Sequence, residues 1–379
     1  KKTLENLDLD ALVVIGGDDS NTNAAVLAEY LLQNNSKTQV IGVPKTIDGD
    51  LRNEFIKISF GFDSACKIYS EMIGSIMRDA LSAKKYYHFI RLMGRSASHI
   101  ALECSLKTHP NYVFIGEEVF EKKLSLNEII KILVDIVKKR SLDSKNYGVI
   151  LIPEGFIEFI PEMKNLISKL NDILANLDSL DVSEIENLLL QKEDGKNLLN
   201  IFKMLPVNIQ KQLLLDRDPH GNVAVSQIET EKLLIDLVKN QLSKESVKFN
   251  ALSHFFGYEG RACLPSNFDA NYCYSLGRGA SYLIAGGYTG YMCCITNLTS
   301  IADEWGVMGL PITSFMTIEK RKGKDKPVIK KALVDLDSKA FGELGKNREK
   351  WAREDDYVYP GPIQYFGEDD LVDSTPLTI

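Results

Sequence analysis

The sequence of 379 residues lacks both a long hydrophobic run and the cysteine spacing that is typical of metal or redox sites. No segment approaches the roughly 18 to 20 consecutive apolar residues of a membrane-spanning helix, and residues 1–20 lack a signal peptide pattern. The six cysteines include no pair with CxxC spacing, which argues against a structural zinc site or a dithiol redox centre. We therefore expect a cytoplasmic protein with buried free thiols.

The sequence also has no excess of basic residues. It contains 45 Lys and Arg against 52 Asp and Glu, a formal net charge of -7. Such a balance excludes a global attraction to nucleic acids or anionic membranes, so any phosphate site must be local. Neither of two common nucleotide motifs is present, since the chain has no GxGxxG sequence and no glycine-rich loop ending in Gly-Lys-Ser or Gly-Lys-Thr.

Short apolar runs that alternate with helical patterns are the main structural feature of the sequence. The runs are Ala11–Ile15, Gln39–Val43, His88–Met93, Tyr112–Ile115, Gly148–Ile152 and Tyr291–Ile295. A helix is expected from Asn21 onwards. Strands that alternate with helices predict an α/β fold with mainly parallel sheets, and the length suits about two domains.

Two segments depart from this alternation. Residues 161–248 carry Leu, Ile and Met at three- and four-residue spacing among charged residues, which predicts an inserted helical subdomain that packs on its host or on a second subunit. Residues 320–326 are basic and contain a glycine, so we expect an exposed loop there.

Polar clusters follow the first two predicted strands at their carboxyl ends, where open α/β sheets bind ligands. In residues 16–20 (GGDDS), glycines allow close approach of an anion, and a carboxylate could hold a hard cation that bridges phosphates. In residues 44–50 (PKTIDGD), a lysine, a hydroxyl and two carboxylates could stabilise and orient phosphate, abstract a proton and hold Mg²⁺. Taken alone, each cluster could also be an ordinary capped turn.

Two further clusters follow later in the chain. Arg95 in Met93-Gly94-Arg95 would lie near a helix start, a position that suits phosphate recognition as well as a surface salt bridge. Glu154 in residues 153–155 (PEG) could accept hydrogen bonds from sugar hydroxyls, and residues 257–261 (GYEGR) offer a tyrosine and an arginine that could clamp a sugar phosphate. Each of these signals is weak by itself.

Together these segments resemble one family. The order GGDDS, PKTIDGDL, MGRSASHIALEC, PEG and FFGYEGRACLPSNFD is similar to the phosphofructokinases, and specifically to their long, plant-like, pyrophosphate-dependent subgroup. KPVIKKALVDLD and YPGPIQYFG resemble the same subgroup. The resemblance implies reversible, Mg²⁺-dependent transfer of a phosphoryl group from pyrophosphate to the 1-hydroxyl of fructose 6-phosphate, in glycolysis or gluconeogenesis.

The resemblance also implies the domain organisation. It predicts two Rossmann-like three-layer domains: a pyrophosphate half formed by residues 1–80 and 257–310, and a fructose 6-phosphate half formed by 81–256 and 311–379. The helical insertion 161–248 lies within the second half. Relative to the subgroup, the sequence has no GGxxPG-type turn before Asp18 and begins Lys1-Lys2, so we expect the N-terminal part of the pyrophosphate half to be missing.

Site residues are carried over from the same resemblance. Asp48 matches the general base and Asp18 matches the Mg²⁺-binding aspartate, and Asp50 offers a second acid for the ion. The residues expected to act in catalysis are Lys45, Thr46, Asp48 and Arg95, and those expected to bind substrate are Thr46, Ile47, Asp48, Met93, Gly94, Arg95, Glu154, Tyr258 and Arg261. Lys85 and Tyr86 match residues that reach the substrate of a neighbouring subunit, so we expect a homodimer or a higher homo-oligomer.

Two residues bear on the phosphoryl donor. ATP-dependent members of the family carry glycine at the positions of Asp19 and Lys45. A carboxylate at Asp19 would repel a nucleotide α-phosphate, whereas Lys45 can offset the charge of a departing phosphate, so pyrophosphate is the expected donor. The alternatives are a non-catalytic regulatory subunit of such an enzyme and an ATP-dependent 6-phosphofructokinase.

Overall fold

The computed structural model describes residues 2–174, 182–218, 221–245, 247–321, 324–368 and 372–379. The chain divides into two compact units, here called unit 1 (residues 1–68, 258–333 and 362–379) and unit 2 (residues 69–257 and 334–361). These bounds differ from the expected halves, because the first stretch ends at residue 68 and because residues 311–333 and 362–379 belong to unit 1. The assignment of pyrophosphate and sugar to the two units stays a prediction.

The helices and strands of the described residues alternate through most of the chain. The helices are α1 (Lys2–Asn6), α2 (Asp18–Gln33), α3 (Phe62–Ala83), α4 (His99–Thr108), α5 (Gly116–Glu121), α6 (Leu126–Leu142), α7 (Pro161–Leu174), α8 (Val182–Leu190), α9 (Gly195–Met204), α10 (Val207–Leu215), α11 (Thr230–Ser243), α12 (Tyr258–Arg261), α13 (Asn267–Ala285) and α14 (Lys339–Arg353). The strands are β1 (Ala11–Gly16), β2 (Gln39–Pro44), β3 (Tyr87–Leu92), β4 (Tyr112–Val113), β5 (Gly148–Pro153), β6 (Ala251–Phe256), β7 (Tyr291–Thr296), β8 (Gly306–Pro311), β9 (Met316–Arg321) and β10 (Lys324–Ile329). Short 3₁₀ helices cover Phe156–Phe159, Val225–Gln227, Ala302–Glu304 and Ile312–Phe315. No helix within these described ranges is long and apolar enough to cross a membrane.

Unit 1 is built on a four-stranded sheet with the order β1-β2-β7-β8. Strands β1, β2 and β7 are parallel, and β8 pairs antiparallel with β7. Helix α2 covers this sheet with a stripe of buried apolar residues that includes Ala24, Ala28 and Leu31. The predicted strands and the α/β class are confirmed here. Strand β8 was not expected, because its six residues include two glycines and a proline, which are uncommon in strands.

Unit 2 contains a second four-stranded sheet, with the order β4-β5-β3-β6, in which every pair is parallel. All residues of β3 and β5 are buried, as expected for the central strands of a parallel sheet, and in β3 they include His88 and Arg91. Strand β6 was not expected, since Ser253 and His254 interrupt its apolar pattern. It nevertheless pairs with β3 along all of its six residues.

The segment 161–248 forms the helices α7 to α11, with residues 175–181, 219–220 and 246 outside the described residues. Leu170, Phe202 and Leu234 of these helices lie in the same apolar core as Leu133 of α6 and Phe89 of β3. The helices therefore pack on their host and complete the core of unit 2.

The expectation of a loop at residues 320–326 is wrong for 320–321 and 324–326, because these residues belong to the antiparallel hairpin of β9 and β10, whereas Asp325 and Lys326 are exposed as expected. Val328 and Ile329 are buried, and Ile329 packs in the same apolar cluster as Ala24 of α2. The basic residues were the misleading signal. They lie in a hairpin whose far end contributes to the core of unit 1.

Candidate active site

The first polar cluster lies where β1 and β2 of unit 1 end. Gly16 and Pro44 are paired in the parallel register, so the segments that follow both strands leave from the same edge of the sheet. The backbone N–H of Lys45 donates to the carbonyl of Gly16 at 2.8 Å, which holds the two segments together. Helix α2 begins at Asp18, earlier than the expected Asn21, and this places Asp18 in its first turn.

Asn21, which sequence reasoning did not single out, ties the two strand ends together. Its side-chain amide is buried and donates to the carbonyls of Gly16 at 2.7 Å and Gly17 at 3.0 Å, with Val43 at 3.4 Å. A Cβ atom at Gly42 would come within 2.3 Å of Asn21 Oδ1, so the strand needs a glycine there. The signal was present in the sequence, because a polar residue begins the apolar stripe of α2.

The loop after β2 is folded around the hydroxyl of Thr46. Thr46 Oγ1 accepts a hydrogen bond from the backbone N–H of Asp48 at 3.1 Å and donates to Asp50 Oδ1 at 3.4 Å. Gly49 between them has φ +72°, a conformation that favours glycine. One turn therefore carries the partly buried Asp48 and the buried Asp50. Ile47 is partly buried beside Gly61.

Lys331, another residue that sequence reasoning missed, lies beside two of the predicted metal ligands. Its Nζ atom is 3.7 Å from Asp18 Oδ2 and 3.7 Å from Asp50 Oδ2. The backbone N–H of Ala332 donates to the carbonyl of Asp50 at 2.7 Å, so this segment is fastened to the loop. The segment KPVIKKALVDLD contains Lys331, but its resemblance to the family did not indicate a contact with Asp50, because about 280 residues separate the two in the sequence.

Carboxylate oxygens of this kind fit Mg²⁺, which prefers hard oxygen ligands. Asp18 Oδ2 and Asp50 Oδ2 both lie 3.7 Å from the same ammonium group, so the two carboxylates border one position that attracts a cation. Among the residues that the structure describes, no group of three or more His, Cys, Asp or Glu side chains could hold a metal alone. The donor set therefore suits an ion that takes its remaining ligands from water and phosphate, as Mg²⁺ commonly does.

Asp19 and Lys45, the two residues expected to select the donor, are both exposed at this edge. A cavity of about 470 Å³ opens nearby, and Arg52 and Lys331 are among the basic residues that line it. Unit 1 thus brings together the predicted metal ligands, the predicted base and the predicted donor-selecting residues in the segments after β1 and β2.

Asp269 stabilises the backbone at the start of α3 in unit 1. Its carboxylate accepts hydrogen bonds from the backbone N–H groups of Gly61 at 3.0 Å and Ser64 at 2.8 Å, at the start of α3. Burial, together with the nearby charge of Asp63, raises the pKa of Asp269. This aspartate ends the FFGYEGRACLPSNFD segment, and its contacts assign it to the support of the Ile47–Gly61 region.

In unit 2, a second cluster lies where β3 and β5 end. Leu92 pairs with Pro153, the N–H of Glu154 donates to the carbonyl of Leu92 at 2.8 Å, and the N–H of Gly155 donates to Gly94 at 3.2 Å. A Cβ atom at Gly155 would lie 1.7 Å from the carbonyl oxygen of Arg95. The predicted residues Met93, Gly94, Arg95 and Glu154 are therefore brought together, with Glu154 buried and Arg95 exposed.

Glu117, which sequence reasoning also missed, holds the segment after this cluster. Its buried Oε1 accepts from the backbone N–H groups of Ser98 at 3.0 Å and Val334 at 2.9 Å. Ser98 Oγ in turn accepts from the N–H of Gly116 at 2.9 Å. The loop from Gly94 to Ser98 is thus tied to α5.

Four predicted site residues remain, namely Lys85, Tyr86, Tyr258 and Arg261. Lys85 and Tyr86 are exposed and precede β3, so they lie at the end of this strand opposite to Gly94. Tyr258 and Arg261 are exposed on α12 of unit 1, with the guanidinium carbon of Arg261 5.6 Å from the centre of the Tyr258 ring. Lys85 and Tyr86 are therefore not brought together with the Gly94 cluster in this chain.

Comparison with protein families matches residues 1–284 to the phosphofructokinase family model. Among curated proteins, the chain is 55% identical over 375 residues to pyrophosphate–fructose 6-phosphate 1-phosphotransferase subunit beta 2 of Arabidopsis thaliana, which covers 97% of this chain and 65% of that protein. It is 51% identical over 388 residues to the Treponema pallidum pyrophosphate–fructose 6-phosphate 1-phosphotransferase, covering 100% of this chain and 68% of that protein. The chain thus spans about two thirds of the length of these relatives.

Among solved structures, the pyrophosphate-dependent phosphofructokinase from Marinobacter aquaeolei matches with a TM-score of 0.55 at 15% identity. The match covers 94% of this chain and 71% of that chain. At this identity the likeness concerns the fold alone. It agrees with the α/β architecture and parallel sheets described above.

Proposed function

The chain belongs to the phosphofructokinase family, and from that premise we propose that it transfers a phosphoryl group from pyrophosphate to the 1-hydroxyl of fructose 6-phosphate. The products are fructose 1,6-bisphosphate and phosphate, and the transfer is reversible because the free energy of cleaving pyrophosphate is nearly balanced by that of forming the phosphate ester. One observation carries the proposal: Asp18, Lys45, Asp48 and Asp50 follow neighbouring strands in a chain more than half identical to proteins named for this reaction.

Asp48 is the proposed general base. It accepts the proton of the 1-hydroxyl while that oxygen attacks the terminal phosphorus of pyrophosphate and the bond to the bridging oxygen breaks. The hydrogen bond from the N–H of Asp48 to Thr46 supports this assignment, because it fixes the backbone of the base. Thr46 and Arg95 are proposed to orient and neutralise the transferred group.

Asp18 and Asp50 are the proposed ligands of Mg²⁺. When bound, the ion neutralises phosphate charge and orients the donor. The carboxylate of Asp50 is buried and held by Thr46 Oγ1, so it is positioned before a ligand arrives. Asp18, in the first turn of α2, supplies the second oxygen ligand.

Asp19 and Lys45 are proposed to select pyrophosphate over ATP. Asp19 adds negative charge where a nucleotide would place its α-phosphate, and Lys45 adds positive charge for the departing phosphate. Their exposure at the same sheet edge supports the proposal, since both side chains can meet a ligand there.

The sugar phosphate is proposed to lie against Ile47, Met93, Gly94 and Glu154, with Tyr258 and Arg261 on its 6-phosphate. Lys85 and Tyr86 are proposed to reach the site of a neighbouring subunit in a homodimer or a higher homo-oligomer. Their place at the far end of β3 supports that assignment. Six cysteines described as free thiols support a cytoplasmic location.

A coupled assay with fructose 6-phosphate and Mg²⁺, offering either pyrophosphate or ATP, tests the reaction. Turnover with pyrophosphate supports the proposal, and turnover with ATP alone contradicts it. Binding of fructose 6-phosphate without turnover on either donor would favour a non-catalytic subunit instead.

The double variant Asp19→Gly, Lys45→Gly tests the donor assignment. We expect it to lose pyrophosphate turnover and to gain turnover with ATP, because the repulsive carboxylate and the phosphate cation are both removed. Asp8→Gly, Lys123→Gly is a matched control, since both residues are exposed and have φ near +50°. Unchanged pyrophosphate turnover with no gain on ATP would contradict the role of these two residues.

A further inference from the structure

Lys331 brings a positive charge to the place where the proposed metal ligands meet. Its ammonium group is 3.7 Å from one carboxylate oxygen of Asp18 and 3.7 Å from one of Asp50. The first acid belongs to α2 and the second to the loop after β2, whereas the lysine follows β10. Three segments far apart in sequence therefore converge on one ion pair within unit 1.

The backbone on either side of Lys331 is fastened to the same two acidic segments. The N–H of Ala332 donates to the carbonyl of Asp50 at 2.7 Å, and the N–H of Ile329 donates to Thr22 Oγ1 of α2 at 3.2 Å. Burial of Ile329 adds an apolar anchor. These two hydrogen bonds and the buried side chain of Ile329 therefore fix the backbone position of Lys331.

The ammonium group of Lys331 approaches both carboxylates without a hydrogen bond to either of the two oxygens at 3.7 Å. A separation of 3.7 Å exceeds hydrogen-bond distance, so neither of these two contacts fixes its direction. The side chain is 35% exposed and lines the cavity of about 470 Å³. A flexible lysine stem can therefore carry the charge from the carboxylates into the cavity without moving the backbone.

The charges of the bound ligands determine the direction in which the ammonium group of Lys331 would move. A divalent cation bound to Asp18 and Asp50 repels the ammonium group and takes over its counter-charges. A pyrophosphate that arrives with the cation still carries excess negative charge, which attracts the displaced lysine.

We propose that Lys331 is a further phosphate-binding residue of this site, and that its ammonium group occupies the place of the divalent cation until the cation and pyrophosphate bind. The inference deepens the proposed function and rests on it for the identity of the phosphate ligand. Lys331 then contacts the pyrophosphate and helps to neutralise the departing phosphate.

Lys331→Gln is the test variant, and Lys330→Gln is its matched control. Lys330 is exposed in the same segment and lines the same cavity, but no ion pair joins it to Asp18 or Asp50, so its variant controls for the loss of one positive charge from the cavity. Lys331→Arg keeps the charge and serves as a second variant. Thermal unfolding of all three establishes that they are folded.

The first measurement is titration of the protein with MnCl₂ in the absence of any phosphate. We expect Lys331→Gln to bind Mn²⁺ about threefold to tenfold more tightly than the unaltered protein, because the competing ammonium is gone. Lys330→Gln and Lys331→Arg should keep the original affinity within about twofold. Unchanged or weaker Mn²⁺ binding by Lys331→Gln would overturn the proposal.

The second measurement is steady-state kinetics with pyrophosphate. We expect kcat/KM for pyrophosphate to fall by about 10²-fold in Lys331→Gln, with partial rescue in Lys331→Arg, while the KM for fructose 6-phosphate stays unchanged. An unchanged kcat/KM for pyrophosphate would also overturn the proposal. If the unaltered protein has no turnover with pyrophosphate, the proposed function fails, whereas the Mn²⁺ titration still decides whether Lys331 competes with the cation.

Discussion

The two sheet edges that carry the predicted site residues are built on different principles. In unit 1, charged side chains from three segments meet, with Lys331 3.7 Å from both Asp18 and Asp50. In unit 2, backbone atoms interlock, since a Cβ at Gly155 would lie 1.7 Å from the carbonyl oxygen of Arg95. The first edge should therefore be sensitive to changes of charge and the second to changes of volume.

The largest expected effect is on the charged edge, in Asp48→Asn. This isosteric change removes the proposed base, so we expect turnover to fall by about 10²-fold to 10⁴-fold while the affinity for fructose 6-phosphate is kept. Steady-state kinetics and direct binding of the sugar phosphate measure the two quantities. Asp8→Asn at an exposed position is the control, and near-normal turnover in Asp48→Asn would remove this residue as the base.

Gly155→Ala tests the interlocked edge by volume alone. The added methyl group would meet the carbonyl of Arg95, so we expect the free energy of unfolding to fall by about 1–3 kcal/mol and the affinity for fructose 6-phosphate to weaken. Gly342→Ala in α14 is the matched control, because no atom lies within 4 Å of its added Cβ and alanine favours a helix. Urea unfolding measures the stability of both variants, and direct binding of fructose 6-phosphate measures the affinity. Equal stability of the two variants would contradict the steric account.

Glu117→Ala tests whether the edge where β3 and β5 end in unit 2 also depends on one buried carboxylate. The change leaves the N–H groups of Ser98 and Val334 without their acceptor, so we expect a loss of about 1–3 kcal/mol in the free energy of unfolding. Glu117→Gln retains an acceptor oxygen and should lose less. If both variants unfold at the same urea concentration as the unaltered protein, Glu117 does not support the loop.

The smallest expected effect is a pH dependence confined to unit 2. Burial, with the neighbouring His254, lowers the pKa of His88 to about 4 from 6.5, and the two imidazoles contact each other at 3.0 Å. The unfolded chain therefore binds more protons between these values, so the stability contributed by neutral His88 is complete above pH 6.5 and is lost as the pH falls towards 4.

Thermal unfolding between pH 8 and pH 5 measures this effect. His88→Leu should flatten the decrease below pH 6.5, while Lys123→Gln at an exposed position should keep it. Asp79, the other charge that acts on the pKa of His88, opposes the shift. An identical pH slope in His88→Leu would show that another group is responsible.

Much of the fold could be predicted from sequence. The fully buried parallel strand β5 is a continuous apolar run, and the stripe of α2 repeats at helical spacing. Strand β6 and the hairpin of β9 and β10 were missed, because Ser253 and His254 interrupt one pattern and lysines dominate the other. Their pairing depends on a partner strand, which local composition does not contain.

The residues of the candidate site also fall into a group that the sequence indicates and a group that only the structure identifies. Asp18, Lys45, Thr46, Asp48 and Asp50 lie in two short motifs directly after strands, so their proximity follows from the parallel register. Their proposed roles, and those of the residues in unit 2, remain predictions. The supporting residues Asn21, Glu117 and Asp269 carry no motif of their own, and only their hydrogen bonds identify them.

By itself, the sequence determined the family, the α/β class and the motifs that bear the chemistry, because each depends on residues close together along the chain. Only the tertiary structure decided which distant groups join those motifs. Lys331 reaches Asp18 and Asp50 because burial of Ile329 and the hydrogen bond from Ala332 to Asp50 bring its segment there. Contacts of that kind arise from packing between segments, so no local pattern in the sequence encodes them.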